Sequence, residues 1–178
     1  MLRNTGEESA LMSKNIWINL AGFQLIWWMS VLLGNAALPW VFMMLALHLV
    51  FHPERTSEAS VMLICALCGI IVDGVLTLLG VFRFAEAGLI LPFWLLALWL
   101  AFCATLRQGL IWFRGRYLLA ALSGGLSAAL TYMAAAKLGA VELGFTDGQT
   151  FLLLTLIWSG LFPLLLLLSQ RLERNYVG

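Results

Sequence analysis

Charge is scarce in this sequence. Only 11% of its 178 residues are Asp, Glu, Lys or Arg, against about 25% in soluble domains. A water-facing surface cannot be built from so few, and a net charge of +1 offers no footprint for nucleic acid. Cysteine is scarce too. Cys65, Cys68 and Cys103 all lie in apolar runs, so a disulfide framework of extracellular loops is excluded. The sequence also lacks a Ser nucleophile elbow, a zinc-protease His pair, an Asp-x-x-Asp pair for magnesium and diphosphate, and a phosphate loop. No metal or cofactor is expected. The polar segments are too short to house a soluble catalytic domain.

What the chain has is apolar length. It is 62% hydrophobic, with mean hydropathy +0.97, and the solvent that suits such a chain is lipid. Hydropathy and turn signals predict an all-α polytopic membrane bundle in one domain, 1–178. Six transmembrane helices are expected, at about 16–33, 36–51, 60–82, 88–106, 117–138 and 150–168. Residues 1–15 read as a short cytosolic tail, 52–58 as a polar loop, 83–87 as a short connection and 169–178 as a polar tail. Residues 107–116, apolar inside and basic at both ends, read as an interfacial segment. A cleaved signal peptide is the rival for the first span, but Asn19, Gln24 and the Trp27-Trp28 pair suit one poorly.

Six spans place the two tails and the loops after spans two and four on one side. That side collects Arg3, Lys14, Arg55, Arg107, Arg114, Arg116, Arg171 and Arg174, leaving only Arg83 and Lys137 opposite. Such a bias marks the cytoplasmic face. Both termini are therefore expected inside, in a bacterial inner membrane.

Asp73 is the exceptional charge, near the middle of the third span. Gly69, Asp73, Thr77 and Gly80 fall within about 80° of one another on a helical wheel. An ionisable residue inside a span is by default a functional-site hypothesis, as proton relay, cation site or general acid/base. The plainer reading is a hydrogen bond that fixes helix packing. Asp73 lies roughly 20 Å into its span and Tyr132 roughly 22 Å into the fifth, so the two are level. Thr131 and Ser30 are close to that depth, and Lys137 is expected to snorkel outward. Asn19, Gln24, His48, Thr105 and Gln108 gather nearer the inner leaflet. They suit a headgroup or proton relay, or simple interhelical bonding. The Cys65-x-x-Cys68 spacing reads as small apolar packing. The small residues from Ser123 to Thr131 suggest a central fifth span. Trp94, Trp99 and Trp158 either line a pocket or face lipid, with lipid the default.

Asn19-x-x-x-Phe23-Gln24-x-x-Trp27, Val31-Leu-Leu-Gly34, Asp73-Gly74, Leu91-Pro92-x-Trp94-x-x-x-Leu98-Trp99-x-x-Phe102, Leu126-Ser127 through Tyr132, and Leu138-Gly139-Ala140 together resemble a small bacterial inner-membrane family catalogued only as a domain of unknown function. Where that pattern has a proline before Tyr132, this chain has Ala128 and Ala129. The resemblance implies a multi-spanning protein in a lipid-related setting and carries no activity.

The expectations are therefore these. The protein binds or moves a lipid or small amphiphile, with Asp73, Thr77, Asn19, Gln24, Trp94 and Tyr132 as binding candidates. The alternatives are an intramembrane lipid-modifying enzyme using Asp73, Tyr132 or His48, and an accessory subunit, joined to a membrane-protein partner, whose Asp73 is structural.

Overall fold

The computed structural model describes the backbone of residues 5–85 and 90–177 and the side chains of residues 16–85 and 90–173. Six helices follow one another: α1 (Thr5–Leu33), α2 (Leu38–Phe51), α3 (Arg55–Leu78), α4 (Phe93–Cys103), α5 (Tyr117–Lys137) and α6 (Asp147–Val177). Each expected span overlaps one of these helices, but several ends differ. The helix of α1 already covers residues 5–15, and α6 continues through most of the expected tail. Residues 86–87 of the expected 83–87 connection and 88–89 at the start of the expected fourth span lie outside the described residues.

Four apolar stretches are long enough to cross a membrane: Ile16–Phe51, Arg55–Leu78, Tyr117–Lys137 and Asp147–Glu173. The first contains both α1 and α2, which a 3-10 turn at Gly34–Ala37 separates. Gly34 supplies the positive φ, 56°, that this reversal needs.

The fourth expected span is shortened. With 11 residues, α4 is about 16 Å long, half a hydrocarbon core. It starts late because Pro92 is its extended N-cap, and the residue before a proline avoids helical backbone. It ends early because Asn19 of α1 claims the backbone beyond it. Asn19 Nδ2 donates to the Ala104 carbonyl at 3.2 Å and its Oδ1 accepts from the Gly109 N–H at 3.1 Å. Residues 104–110 become a chain of tight turns.

α4 is nevertheless the axis of the bundle. Trp94, Leu95, Ala97, Trp99, Ala101 and Cys103 are all buried, and the helix packs on α1, α2 and α3. The fifth helix is not central, contrary to the small-residue reading. Its Gly124 and Gly125 face Phe162, Ser159 and Thr155 of α6, which lets those two backbones approach closely. Its opposite side carries Leu118, Leu122, Leu126 and Leu130, all exposed. Exposed leucines also cover α3 and α6, among them Leu63, Leu78, Leu152 and Leu156. Such an apolar exterior fits lipid rather than water.

At one end, two short strands tie the loops after α3 and α5. β1 (Phe82–Arg83) and β2 (Glu142–Leu143) run antiparallel, with Phe82 opposite Leu143 and Arg83 opposite Glu142. The Gly144 N–H donates to the Val81 carbonyl at 2.9 Å. A Cβ on Gly144 would collide with the Gly80 carbonyl, so the clasp requires glycine there. Its consequence is the fixed position of Phe82, which is fully buried.

Candidate functional site

Asp73 is fully buried in α3. Trp99 Nε1 of α4 donates to its Oδ2 at 2.7 Å. The Tyr132 hydroxyl of α5 lies 2.8 Å from Oδ1 and 2.7 Å from Oδ2, so its single proton is shared between them. Three helices thus meet at one carboxylate.

Each partner is held by its neighbours. Gly69, one turn before Asp73, lies against the Trp99 indole, and any Cβ there would collide with the ring. The indole is also stacked on Trp158 of α6, with centroids 5.4 Å apart and planes at 8°. Tyr132 is stacked on Phe82 at 5.0 Å and 4°, which makes the strand clasp its positioning device. Thr77 donates to the Asp73 main-chain carbonyl at 2.8 Å, not to the carboxylate. Gly80, at φ 76°, follows the end of α3. The small polar stripe therefore divides into a seat for an indole, a carboxylate, a back-bonded hydroxyl and a helix stop.

Trp99 and Tyr132 also form part of the wall of a groove of about 520 Å³ between α1 and α5. Its remaining lining includes Phe23, Gln24, Trp27, Trp94, Phe102 and Ser127. Asp73 is one side chain behind that wall. A phenol that donates to a carboxylate keeps acceptor capacity on its oxygen, so Tyr132 is the polar link between groove and carboxylate.

The structure brings Asp73, Tyr132, Trp94, Gln24, Thr131 and Thr105 to this groove or its wall and leaves Asn19, His48, Gln108 and Ser30 elsewhere. Asn19 is occupied by the 104–110 turns. Asn19, His48, Thr105 and Gln108 share a second cavity of about 640 Å³ between α1 and α2, so Gln24 is not part of their cluster. Ser30, though buried, has no hydrogen-bond partner among the described residues, and Thr131 donates to the Ser127 carbonyl at 2.8 Å. Trp99 and Trp158 are buried, not lipid-facing.

A second constellation was hidden in the expected 52–58 loop. Helix α3 begins at Arg55, so Glu58 is helical, and it is fully buried. Asp73 is therefore not the only buried acid. Glu58 Oε2 accepts from Arg107 Nη1 at 3.1 Å. Its Oε1 lies 3.0 Å from His48 Nε2, and a carboxylate acceptor places the His48 proton on that nitrogen. Arg107 continues to Glu54 at 2.6 Å and Glu173 at 3.4 Å, and Arg114 joins Glu173 at 2.6 Å. Burial works against the Arg107 charge, but the Glu54 hydrogen bond and the Glu58 and Glu173 carboxylates raise its pKa above the ordinary guanidinium value. His52 accepts the Glu54 N–H on Nδ1 at 3.1 Å. Burial is the main cause of its lowered pKa, against the pull of Glu58. The i, i+4 spacings of His48/His52 and Glu54/Glu58 are the sequence signal for this network.

Comparison with known proteins adds one match. A family model described as "Protein of unknown function (DUF2878)" matches residues 16–164. No curated protein matches, and no solved structure matches.

Proposed function

We propose, from the premise that the chain belongs to the DUF2878 family of proteins of unknown function, that it is an integral membrane protein that binds or moves a lipid or small amphiphile. The observation that carries this reading is the groove between α1 and α5. It is aromatic and apolar, and two of its wall residues are hydrogen-bonded to a buried carboxylate. Sites of roughly 300–1,000 Å³ lined by aromatic side chains with few polar groups suit small apolar ligands. In this reading the acyl or isoprenoid portion lies in the groove, and Asp73 and Tyr132 form a protonatable contact at its side. All six helices insert as one membrane domain, with α4 and the turns up to residue 106 forming the fourth passage and 107–116 lying at the membrane interface. The basic bias of the tails and of the loops after α2 and α4 supports cytoplasmic termini in a bacterial inner membrane.

Full burial of Asp73 favours a second reading, an accessory subunit in which Asp73 only joins three helices. Native mass spectrometry of the delipidated protein with added lipid separates the two. The groove reading expects bound lipid in the wild type, loss in Ser127→Trp, which fills the groove, and weakened binding in Asp73→Asn. The accessory reading expects neither variant to change lipid retention. Reporter fusions at both termini test the orientation: cytoplasmic activity at both ends is expected, and a periplasmic signal at either end rejects it.

A further inference from the structure

We infer that the groove selects a lipid whose headgroup is uncharged, of the diacylglycerol or lipid-alcohol kind, over phospholipids. The inference rests on the groove reading above and adds the ligand class. Among the described residues, none that lines the groove is Asp, Glu, Lys, Arg or His. A phosphate held among Phe23, Trp27 and Phe102 would have no cation to offset its desolvation. At the end of the groove near the 104–116 turns, the cations are already held. Arg107 and Arg114 are engaged by Glu54, Glu58 and Glu173, and Arg116 lies over the Trp112 ring at 4.2 Å. Behind the wall, Asp73 adds an acid that opposes an anion.

The groove is nevertheless not featureless. Ser123, Ser127 and Thr131 of α5 recur every four residues along one wall, a row about 12 Å long. Ser123 and Thr131 donate to the Leu119 and Ser127 carbonyls, which leaves their oxygens as acceptors toward the groove. Gln24 on α1 and Ser127 make no hydrogen bond among the described residues and supply donors. Neutral donors and acceptors without charge match a hydroxyl or ester group, not a phosphate.

The test is competition on the purified full chain, delipidated in nonionic detergent. Dioleoylglycerol, dioleoylphosphatidylglycerol and dioleoylphosphatidylethanolamine are offered in equal amounts and the bound species weighed by native mass spectrometry. The expected result is at least tenfold enrichment of dioleoylglycerol. Ser127→Ala with Gln24→Leu should lower that enrichment severalfold while acyl binding persists, and Gln24→Lys should raise phosphatidylglycerol binding. If either phospholipid binds as well as dioleoylglycerol and Ser127→Trp still blocks binding, the headgroup inference is overturned and the groove reading stands. If no lipid binds to folded wild-type protein, both fall.

Discussion

Replacing Tyr132 by phenylalanine removes one oxygen and keeps the ring that stacks on Phe82. Among the described residues, the loss leaves Asp73 with Trp99 as its one remaining side-chain donor. A hydrogen bond to a charged group contributes about 1.5–3 kcal/mol in water-soluble proteins. Interhelical bonds in membranes average about 0.6 and reach about 1.7 kcal/mol, because partners persist in the unfolded membrane-inserted chain. Asp73 is fully buried and bridges three helices, so the upper membrane value applies and Tyr132→Phe should cost about 1.5 kcal/mol. For a chain of this size that is a fall in Tm of about 3–6 °C. In an Asp73→Leu background the hydroxyl has no carboxylate to serve, and the same substitution should be nearly neutral. Thermal unfolding in detergent with a thiol-reactive dye reads this directly, since Cys65 and Cys103 are free and buried. A coupling of about 1–1.5 kcal/mol between the two substitutions is expected. Equal Tm losses in both backgrounds would refute the triad as an energetic unit.

Three other perturbations follow from the same geometry. Gly69→Val should push the Trp99 indole from its seat and cost about 1–3 kcal/mol, seen as a red shift in tryptophan emission with a lower Tm; an unchanged spectrum would show that the contact is not tight. Arg107→Met strands Glu58 and should cost about 3–5 kcal/mol, with most of the loss recovered in the Arg107→Met, Glu58→Gln double variant; no recovery would mean that Arg107 acts through packing alone. His52 is held below its ordinary value of 6.5, chiefly by burial, with Glu58 opposing and Arg107 and His48 adding to the effect. Between the lowered folded value and 6.5, the unfolded chain binds a proton that the folded chain refuses. Stability therefore rises with pH across that window and is flat on either side of it. His52→Gln should flatten the Tm–pH slope there, and a slope identical to wild type would exclude His52 as its source.

The order of the six helices was readable because apolar runs and turn residues are local signals. The shared depth of Asp73 and Tyr132 was readable too, since rise per residue converts position into height. Rotation about the helix axis was not, and it decides the rest. Trp99 was a fit for lipid by composition alone; its burial depends on Gly69 leaving room in a neighbouring helix. Glu58 resembled a solvated loop charge because Pro53 and its polar neighbours mark a turn, and its partner Arg107 is 49 residues away. The early end of α4 was invisible for the same reason, since Asn19, which claims the following backbone, is 85 residues from Ala104. The small face of α5 was evident, but nothing local says that it serves α6 alone and leaves a groove toward α1.

The most direct test of the central claim is photo-cross-linking in a bilayer. The chain is reconstituted with a lipid carrying a diazirine in its acyl tail, irradiated and peptide-mapped. The groove account predicts adducts concentrated on inward positions such as Phe23, Phe102 and Ser127, and their loss in Ser127→Trp. Adducts confined to the outward leucines, Leu118, Leu122, Leu126 and Leu130, and unaffected by Ser127→Trp, would contradict it.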